Sequence, residues 1–305
     1  MRRLASLIAF LMLGGCDIGT STDVLPTSAG TPATAGAGGG GPSAAGGGAS
    51  AGTTSTTGGT TTTVPKEEDF ELLFRDDFDT FDSARWQLMT HSWDSNLALF
   101  STSAALIEEG TMRITLTPAP AGTVDDSGKA KSFLGAEVRS LATLTYGRVR
   151  ARAKLAGGSA VVSSIVTIYT PWPADNWNEL DIEHLGFKPT DVQLNSMVYT
   201  GPALTPPVAS SVTPTADPLI KPLGLDASAD FHVYTIEWTP TSARFSIDDT
   251  LLREWSAHID LMTLPQNVLL TIWASGSPGW AGPVTEDTGK ASATYDWVEL
   301  YQWKP

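Results

Sequence analysis

Short runs in which apolar and polar residues alternate recur along the chain from residue 66 to residue 305. Successive side chains of a β-strand point to opposite faces, so an alternation with a period of two predicts strands that bury one face. Because long runs with helical spacing are missing there, the pattern predicts an all-β fold, an antiparallel β-sandwich. The runs comprise residues 111–117, 147–155, 161–169, 179–183, 192–199, 232–238, 243–247, 268–273 and 294–301.

Turn residues and tryptophans refine this prediction. Asp248 and Asp249 separate two strand segments and predict the tip of a hairpin. Trp238 and Trp297 lie within alternating runs, so both are predicted to lie in the core.

A different composition marks residues 17–65, which are rich in Gly, Ala, Ser, Thr and Pro and contain no aromatic residue. Such a segment cannot bury enough apolar surface to offset the entropy of ordering it, so we predict a disordered tether. The chain is thus divided into residues 1–15, a linker of residues 16–65 and a folded domain of residues 66–305.

The first residues resemble a bacterial export signal. Arg2 and Arg3 precede a short apolar run, and the segment ends in Leu13-Gly14-Gly15-Cys16. This ending resembles the lipobox of bacterial lipoproteins, which implies cleavage before Cys16, lipidation of that residue and anchoring to a membrane of the cell envelope or cell surface. An ordinary signal peptide with an incidental cysteine is the alternative.

The charge and the cysteine count exclude several classes of protein. The formal net charge is −14, from 19 basic and 33 acidic residues, which opposes binding to nucleic acid. A single Cys excludes an internal disulfide and a zinc site built on cysteines. Packing must therefore stabilise the folded domain.

The segment Glu179-Leu180-Asp181-Ile182-Glu183 is the richest candidate site. In a strand its three acidic residues share one face, with neighbours about 6.6 Å apart at Cα and the two Glu residues about 13 Å apart. Side chains that lean inward from a curved sheet bring the Glu carboxyls towards the roughly 5–5.5 Å of retaining glycosidases. The alternative interpretation is a solvated strand face in an acidic domain.

Neighbouring carboxyls disfavour simultaneous ionisation, so at least one of them holds its proton to higher pH than a free Glu does. One carboxylate then attacks an anomeric carbon, while a protonated partner donates its proton to the leaving oxygen and later activates water.

Trp273 and Trp280 bracket a Gly-rich loop and offer flat apolar faces of the kind on which sugar rings stack, although a core position is an equal alternative.

The acidic motif resembles the E-x-D-x-E signature of glycoside hydrolase family 16. Other fragments, from about residue 70 to residue 303, occur in the order of its lichenase (β-1,3-1,4-glucanase) branch. They include Ser95-Asn96, Gly135-Ala136-Glu137-Val138-Arg139-Ser140, Asn176-Trp177, Val192-Gln193-Leu194-Asn195, Glu237-Trp238, Ile272-Trp273 and Tyr295-Asp296-Trp297-Val298. The resemblance implies a concanavalin A-like β-sandwich, a jelly roll of two curved antiparallel sheets with a sugar-binding cleft on the concave face.

The same resemblance assigns roles to residues. It implies that Glu179 is the nucleophile, Asp181 the assisting acid and Glu183 the general acid/base. Catalysis requires no cofactor, and a structural calcium ion is expected at Asp296 and the carbonyl of Gly110. Glucose-binding positions are implied for Asn96, Glu137, Arg139, Trp177, Asn195, Trp273 and Trp280; for the polar ones the alternative is a structural hydrogen bond, or, for Glu137 and Arg139, a surface ion pair.

Departures from the family pattern leave the preferred glucan open. Gly135 replaces a cysteine, His184 replaces a phenylalanine after the last Glu, and residues 202–222 form a Pro-rich insertion. His184 is predicted to face away from Glu183, in a core or inter-sheet hydrogen bond.

We therefore expect an exported, lipid-anchored and monomeric endo-β-glucan hydrolase that cleaves β-1,3-1,4 or β-1,3 glucosidic bonds with retention, by double displacement. A cell-surface glucan transglycosylase, which shares the covalent intermediate, is one alternative. A non-catalytic glycan-binding lectin is another, and the intact Glu179, Asp181 and Glu183 argue against it.

Overall fold

The computed structural model describes residues 64–170, 176–200, 215–216, 219–257 and 259–304. Residues 1–15, Cys16 and all but the last two residues of the predicted linker lie outside the described residues, as does part of the Pro-rich insertion. Among the described residues, no helix is long and apolar enough to cross a membrane.

β-Strands dominate the domain. Among the described residues they are accompanied by one short α-helix, α1 (Pro278–Ala281), and by 3-10 turns at Glu67–Asp69, Thr102–Ala104, Ile259–Leu261 and Thr288–Lys290. The strands are β1 (Phe70–Asp76), β2 (Trp86–Leu88), β3 (Ala98–Phe100), β4 (Ala105–Glu108), β5 (Thr111–Pro118), β6 (Phe133–Leu144), β7 (Gly147–Lys154), β8 (Val161–Ile168), β9 (Asn176–Leu185), β10 (Asp191–Thr200), β11 (Thr215–Ala216), β12 (Leu219–Pro222), β13 (His232–Trp238), β14 (Ala243–Ile247), β15 (Thr250–Trp255), β16 (Gln266–Ala274) and β17 (Ala291–Trp303).

The first sheet is organised around β17. One edge of β17 pairs with β7, and β13, β14 and β15 follow in that order. The other edge pairs with β5 in its first half and with β1 in its second half, and β4 lies beside β5. Every pair is antiparallel.

The second sheet has the order β2, β6, β16, β8, β9, β10 and β12, again with antiparallel pairs throughout. The short strand β11 also pairs with β10, and β3 adds a parallel partner to the start of β6. Strand β9, which carries the acidic motif, therefore has a neighbour on both sides.

Apolar side chains from both sheets form one large core between them. Because burial of a large apolar side chain contributes roughly 1.5–3 kcal/mol, this core is the main source of stability in a domain without disulfides. The two-sheet arrangement confirms the predicted all-β jelly roll. The largest fully buried aromatic side chains are Trp86, Trp238, Tyr234, Tyr295, Phe78, Phe100 and Phe245.

The hairpin prediction is confirmed. Asp248 and Asp249 connect β14 to β15 and have φ angles of 47° and 61°. Positive φ at both central residues of a two-residue loop matches the right-handed twist of the flanking strands.

The prediction that Trp297 lies in the core is wrong, whereas Trp238 is fully buried as predicted. The register of β17 against β7 shifts between Tyr295 and Trp297, so one extra residue interrupts the inward and outward alternation. Trp297 is consequently only half-buried, and the Arg75 guanidinium lies 4.4 Å from its ring centroid.

Candidate active site

The three acidic residues of β9 lie on one face of the second sheet. Leu180 and Ile182 between them are fully buried in the inter-sheet core, so the alternation of the strand turns Glu179, Asp181 and Glu183 to the opposite face. The pairing of β9 with β8 and with β10 runs through the motif without a register shift. We call this surface the acidic face.

The acidic face is covered rather than open at the three carboxyls. Glu179 is 2 % exposed, and Asp181 and Glu183 are 0 % exposed. The family resemblance implies an accessible cleft at this point, whereas the three side chains are buried in the structure.

Burial raises the pKa of all three carboxyls, because a low-dielectric environment disfavours the charged form. Burial raises the pKa of Glu179 to about 8; the charge of Glu183 acts in the same direction and the contact with Asp181 opposes it. Burial, followed by the charge of a neighbouring carboxyl, raises the pKa of Asp181 and of Glu183 well above the usual range. The site thus retains protons that exposed carboxyls release, as an acid catalyst requires.

Polar side chains of β10 stand directly opposite the acidic residues. Asn195 pairs in register with Asp181, and its amide acts to lower the pKa of Asp181. Gln193 pairs in register with Glu183 and donates from Nε2 to Glu183 Oε2 at 3.4 Å. The Nε1–H of Trp280 donates to Gln193 Oε1 at 2.8 Å, which fixes the orientation of that amide, since an indole N–H only donates.

Glu137 and Arg139 lie across the acidic face on β6. The Arg139 guanidinium donates to Glu137 Oε1 from Nη2 at 2.5 Å and from Nε at 3.0 Å. Glu137 is 3 % exposed, and His91 Nε2 lies 3.4 Å from its second oxygen. The surface ion pair considered from the sequence is therefore a mostly buried one.

An aromatic cluster lies beside the acidic face. Trp273 is 2 % exposed and packs between Trp93, at a centroid distance of 5.0 Å, and Trp280, at 5.8 Å. Trp280 is half-buried, so it is the more accessible of the two predicted stacking residues. Asn96 is fully buried next to this cluster, and its Oδ1 accepts from the Ala98 N–H at 2.8 Å.

A small apolar cluster surrounds the other end of the motif. Trp177, two residues before Glu179 on β9, is buried in it and lies on the same strand face as Glu179. This environment supplies the desolvation that raises the pKa of Glu179. The other buried members are Val166, Ile168, Met197 and Leu269.

His184 faces away from Glu183, as predicted. Its Nδ1 lies 3.1 Å from the carbonyl oxygen of Ala156 and its Nε2 lies 3.2 Å from that of Pro189. Burial lowers the pKa of His184, so its role is structural.

The structural calcium ion expected at Asp296 and the carbonyl of Gly110 stays a prediction. The Asp296 carboxylate already forms an ion pair with Arg152, and a calcium site needs six or more oxygen ligands. Among the described residues, no group of three or more His, Cys, Asp or Glu side chains is placed to hold a metal.

Sequence reasoning missed Gln193, Trp93 and His91. A signal for Gln193 was present, because it shares a strand face with Asn195 at a spacing of two residues. Trp93 and His91 lie in an irregular segment before β3, where no periodicity indicates which way a side chain points.

Comparisons with known proteins identify the family. The profile of the glycosyl hydrolases family 16 matches residues 94–299. A beta-glucanase of Bacillus subtilis is 30 % identical over 74 % of this chain and 84 % of that protein. A beta-glucanase of Fibrobacter succinogenes is 31 % identical over 61 % of this chain. The match covers 52 % of that protein, so this chain spans about half of its length.

A solved structure shows the same fold. A prokaryotic beta-1,3-1,4-glucanase (lichenase) from a mouse hindgut metagenome superposes with a TM-score of 0.61 at 27 % identity, over 74 % of this chain and 97 % of that one. The family profile covers more than half of the chain, and its range includes β9 and the acidic motif. The chain therefore belongs to glycosyl hydrolase family 16.

Proposed function

We propose that the protein is a retaining, endo-acting β-glucan hydrolase. The observation that carries the proposal is the placement of Glu179, Asp181 and Glu183 on one face of β9, where burial raises the pKa of each carboxyl. Glycoside hydrolysis with retention needs one carboxylate and one carboxylic acid on the same surface.

In the first step, the Glu179 carboxylate attacks the anomeric carbon and the bond from that carbon to the glycosidic oxygen breaks. The proton of Glu183 passes to the leaving oxygen, so a glucosyl ester of Glu179 and a shortened glucan form. The contact with Asp181 acts against the burial that raises the pKa of Glu179, and so favours the nucleophilic carboxylate.

In the second step, the Glu183 carboxylate takes a proton from water, and the water oxygen attacks the anomeric carbon. The ester bond to Glu179 breaks, which regenerates the carboxylate of Glu179 and the acid form of Glu183. Two inversions leave the product in the β configuration.

The other predicted positions supply the binding site in this proposal. Asn96, Asn195 and the pair of Glu137 with Arg139 offer hydrogen bonds to sugar hydroxyls. Trp177, Trp273 and Trp280 offer apolar ring surface. The choice of substrate linkage rests on similarity. The mouse hindgut enzyme with the same fold is named a beta-1,3-1,4-glucanase, which favours β-1,3-1,4 over β-1,3 linkages for this protein.

We also propose export and attachment to a bacterial membrane through Cys16, supported by the lipobox-like Leu13-Gly14-Gly15-Cys16. Growth with a labelled fatty acid tests this: the full chain should carry the label and Cys16→Ser should not. Label on Cys16→Ser, or no label on either, would contradict lipidation.

A substrate panel tests the activity. The protein is incubated with lichenan, laminarin, xyloglucan and agar, and reducing ends and chain-length distributions are followed. Release of reducing ends from lichenan, with an initial β-anomer by NMR before mutarotation, is the expected result. Redistribution of chain length without release would replace hydrolysis by transglycosylation, and binding alone would indicate a lectin.

A further inference from the structure

Lys131 is a fully buried cation whose three protons all have acceptors. Its side chain is 0 % exposed. Nζ lies 3.1 Å from Asp125 Oδ2 and donates to the backbone carbonyls of Trp93 and Asn96, each at 2.7 Å. An ammonium group has three donors and no acceptor, so this arrangement uses its full hydrogen-bonding capacity.

Asp125 is held in place by its own loop. Its Oδ1 accepts from the Ser127 N–H at 2.9 Å, from the Ser127 hydroxyl at 2.6 Å and from the Lys129 N–H at 3.0 Å. Burial acts to raise the pKa of Asp125, but these hydrogen bonds and Lys131 outweigh it and lower the pKa to about 2. The carboxylate is therefore ionised at neutral pH.

The segment that Lys131 holds carries residues of the candidate binding site. Trp93 packs on Trp273, and Asn96 forms an isolated β-bridge with Ser275 after β16. The Trp93 Nε1 and the Asn96 Nδ2 are buried donors without a hydrogen-bond partner in the described part of the chain. Such donors are suited to a ligand that brings its own acceptors.

Residues 91–97 are held by single backbone hydrogen bonds, such as that from the Leu97 N–H to the Ala274 carbonyl at 2.8 Å, and the contacts of Lys131 add to these. A buried ion pair contributes little net stability compared with apolar side chains of similar volume, but it specifies one geometry. Lys129 also holds this segment, because its Nζ donates a hydrogen bond to the Asp94 carbonyl at 2.6 Å.

We propose that Lys131 and Asp125 are positioning residues for glucan binding: their buried ion pair fixes Trp93 and Asn96 against Trp273. The pair acts on affinity and not on the chemistry at β9. This inference rests on the proposed function, and it adds residues to which neither the acidic motif nor the family resemblance points.

Lys131→Met tests the inference, because Met fills similar volume without donors. The expected result is a rise of about tenfold in KM for lichenan, with kcat within about twofold and an unchanged pH profile. Hydrogen exchange at the amides of Asn96 and Leu97, which donate to Trp93 and Ala274, should accelerate.

Two controls separate positioning from stability. Lys290→Met removes an exposed ion pair with Asp287, at 2.7 Å, and should change neither readout. Arg148→Met removes a mostly buried ion pair with Glu237 on the first sheet; it should lower Tm without changing KM or exchange at residues 96–97.

An unchanged KM and unchanged exchange in Lys131→Met would overturn the inference. If Lys131→Met does not fold, Asp125→Asn decides by the same two readouts, because an amide oxygen still accepts from Ser127 and Lys129. If the wild type hydrolyses no glucan, the proposed function fails, while hydrogen exchange still shows whether Lys131 orders the segment.

Discussion

Gln193 lies directly opposite Glu183 across β9 and β10, and its Nε2 donates to the Glu183 carboxyl at 3.4 Å. The other end of the same amide accepts from Trp280, so a half-buried tryptophan at the edge of the site is linked to the proposed acid/base. A donor of this kind favours the ionised form of Glu183 and opposes the burial that raises its pKa.

Gln193→Leu removes this donor. We expect kcat/KM to fall about five- to tenfold, as for the loss of a hydrogen bond of about 1 kcal/mol. The alkaline limb of the pH profile should move to higher pH, because Glu183 then holds its proton more tightly. The measurement is kcat/KM on lichenan as a function of pH; an alkaline limb that stays in place would show that Gln193 does not act on Glu183.

Trp280→Phe keeps an aromatic ring but removes the indole N–H together with part of the ring surface. The Gln193 amide loses the donor that fixes its orientation, so the alkaline limb should shift in the same direction by a smaller amount. Trp303→Phe is the matched control, since Trp303 packs on Phe70 in the first sheet at 5.2 Å between ring centroids. Equal shifts in both variants would contradict a specific role.

Glu179→Gln and Glu183→Gln remove the proposed nucleophile and acid/base without changing side-chain volume. Turnover should fall by at least about 10³-fold in each, because a covalent step and a proton transfer are lost. Glu254→Gln is the control, because the Glu254 side chain on β15 is partly exposed. This variant should keep full activity. Near-normal activity in either site variant removes that residue from the mechanism.

The same variants should be more stable than the wild type at neutral pH. A carboxyl with a raised pKa binds more protons in the folded than in the unfolded state, so it contributes less stability as pH rises between the two values. For Glu179 this window runs from 4.5 to about 8. Thermal melts should show a wild-type Tm that falls across the window and a shallower fall in Glu179→Gln; parallel curves would contradict the burial of the carboxyl.

Arg139→Met leaves Glu137 in a mostly buried position without its strongest partner. We expect a loss of roughly 3 kcal/mol in the free energy of unfolding and a higher KM. Adding Glu137→Gln should restore part of the stability. Arg113→Met breaks the exposed ion pair with Glu108 and should cost no more than about 1 kcal/mol; a similar loss in both variants would show that burial of Glu137 does not matter.

The sequence allowed the fold class and the face of each acidic residue to be predicted, because both depend on alternation within a strand. β13 and β14 were predicted with their observed bounds, and the Asp248-Asp249 turn follows from local backbone chemistry. β6 was not predicted: its residues 135–138 are buried in succession, so no alternation is visible there. Trp297 was misplaced because a bulge in β17 cannot be read from periodicity.

Long-range contacts account for what was missed at the site. Glu137 and Arg139 were assigned through family resemblance, but their burial depends on the packing of β6 against β16 and on His91. Trp280 is linked to Glu183 through Gln193, and the hydrogen bond between Trp280 and Gln193 joins residues 87 positions apart in the sequence. The burial of the three carboxyls also depends on the folded chain, and the alternating motif does not predict it.

Azide rescue tests the assignment of the two glutamates most directly. Glu179→Ala and Glu183→Ala are each incubated with azide and an aryl β-glucan oligosaccharide that has a good leaving group, and the glucosyl azide is identified by NMR. We predict the α-azide from Glu179→Ala, where azide takes the place of the nucleophile, and the β-azide from Glu183→Ala, where azide attacks the ester of Glu179. The opposite pair of anomers, or no azide product from either variant of an active enzyme, would contradict the account.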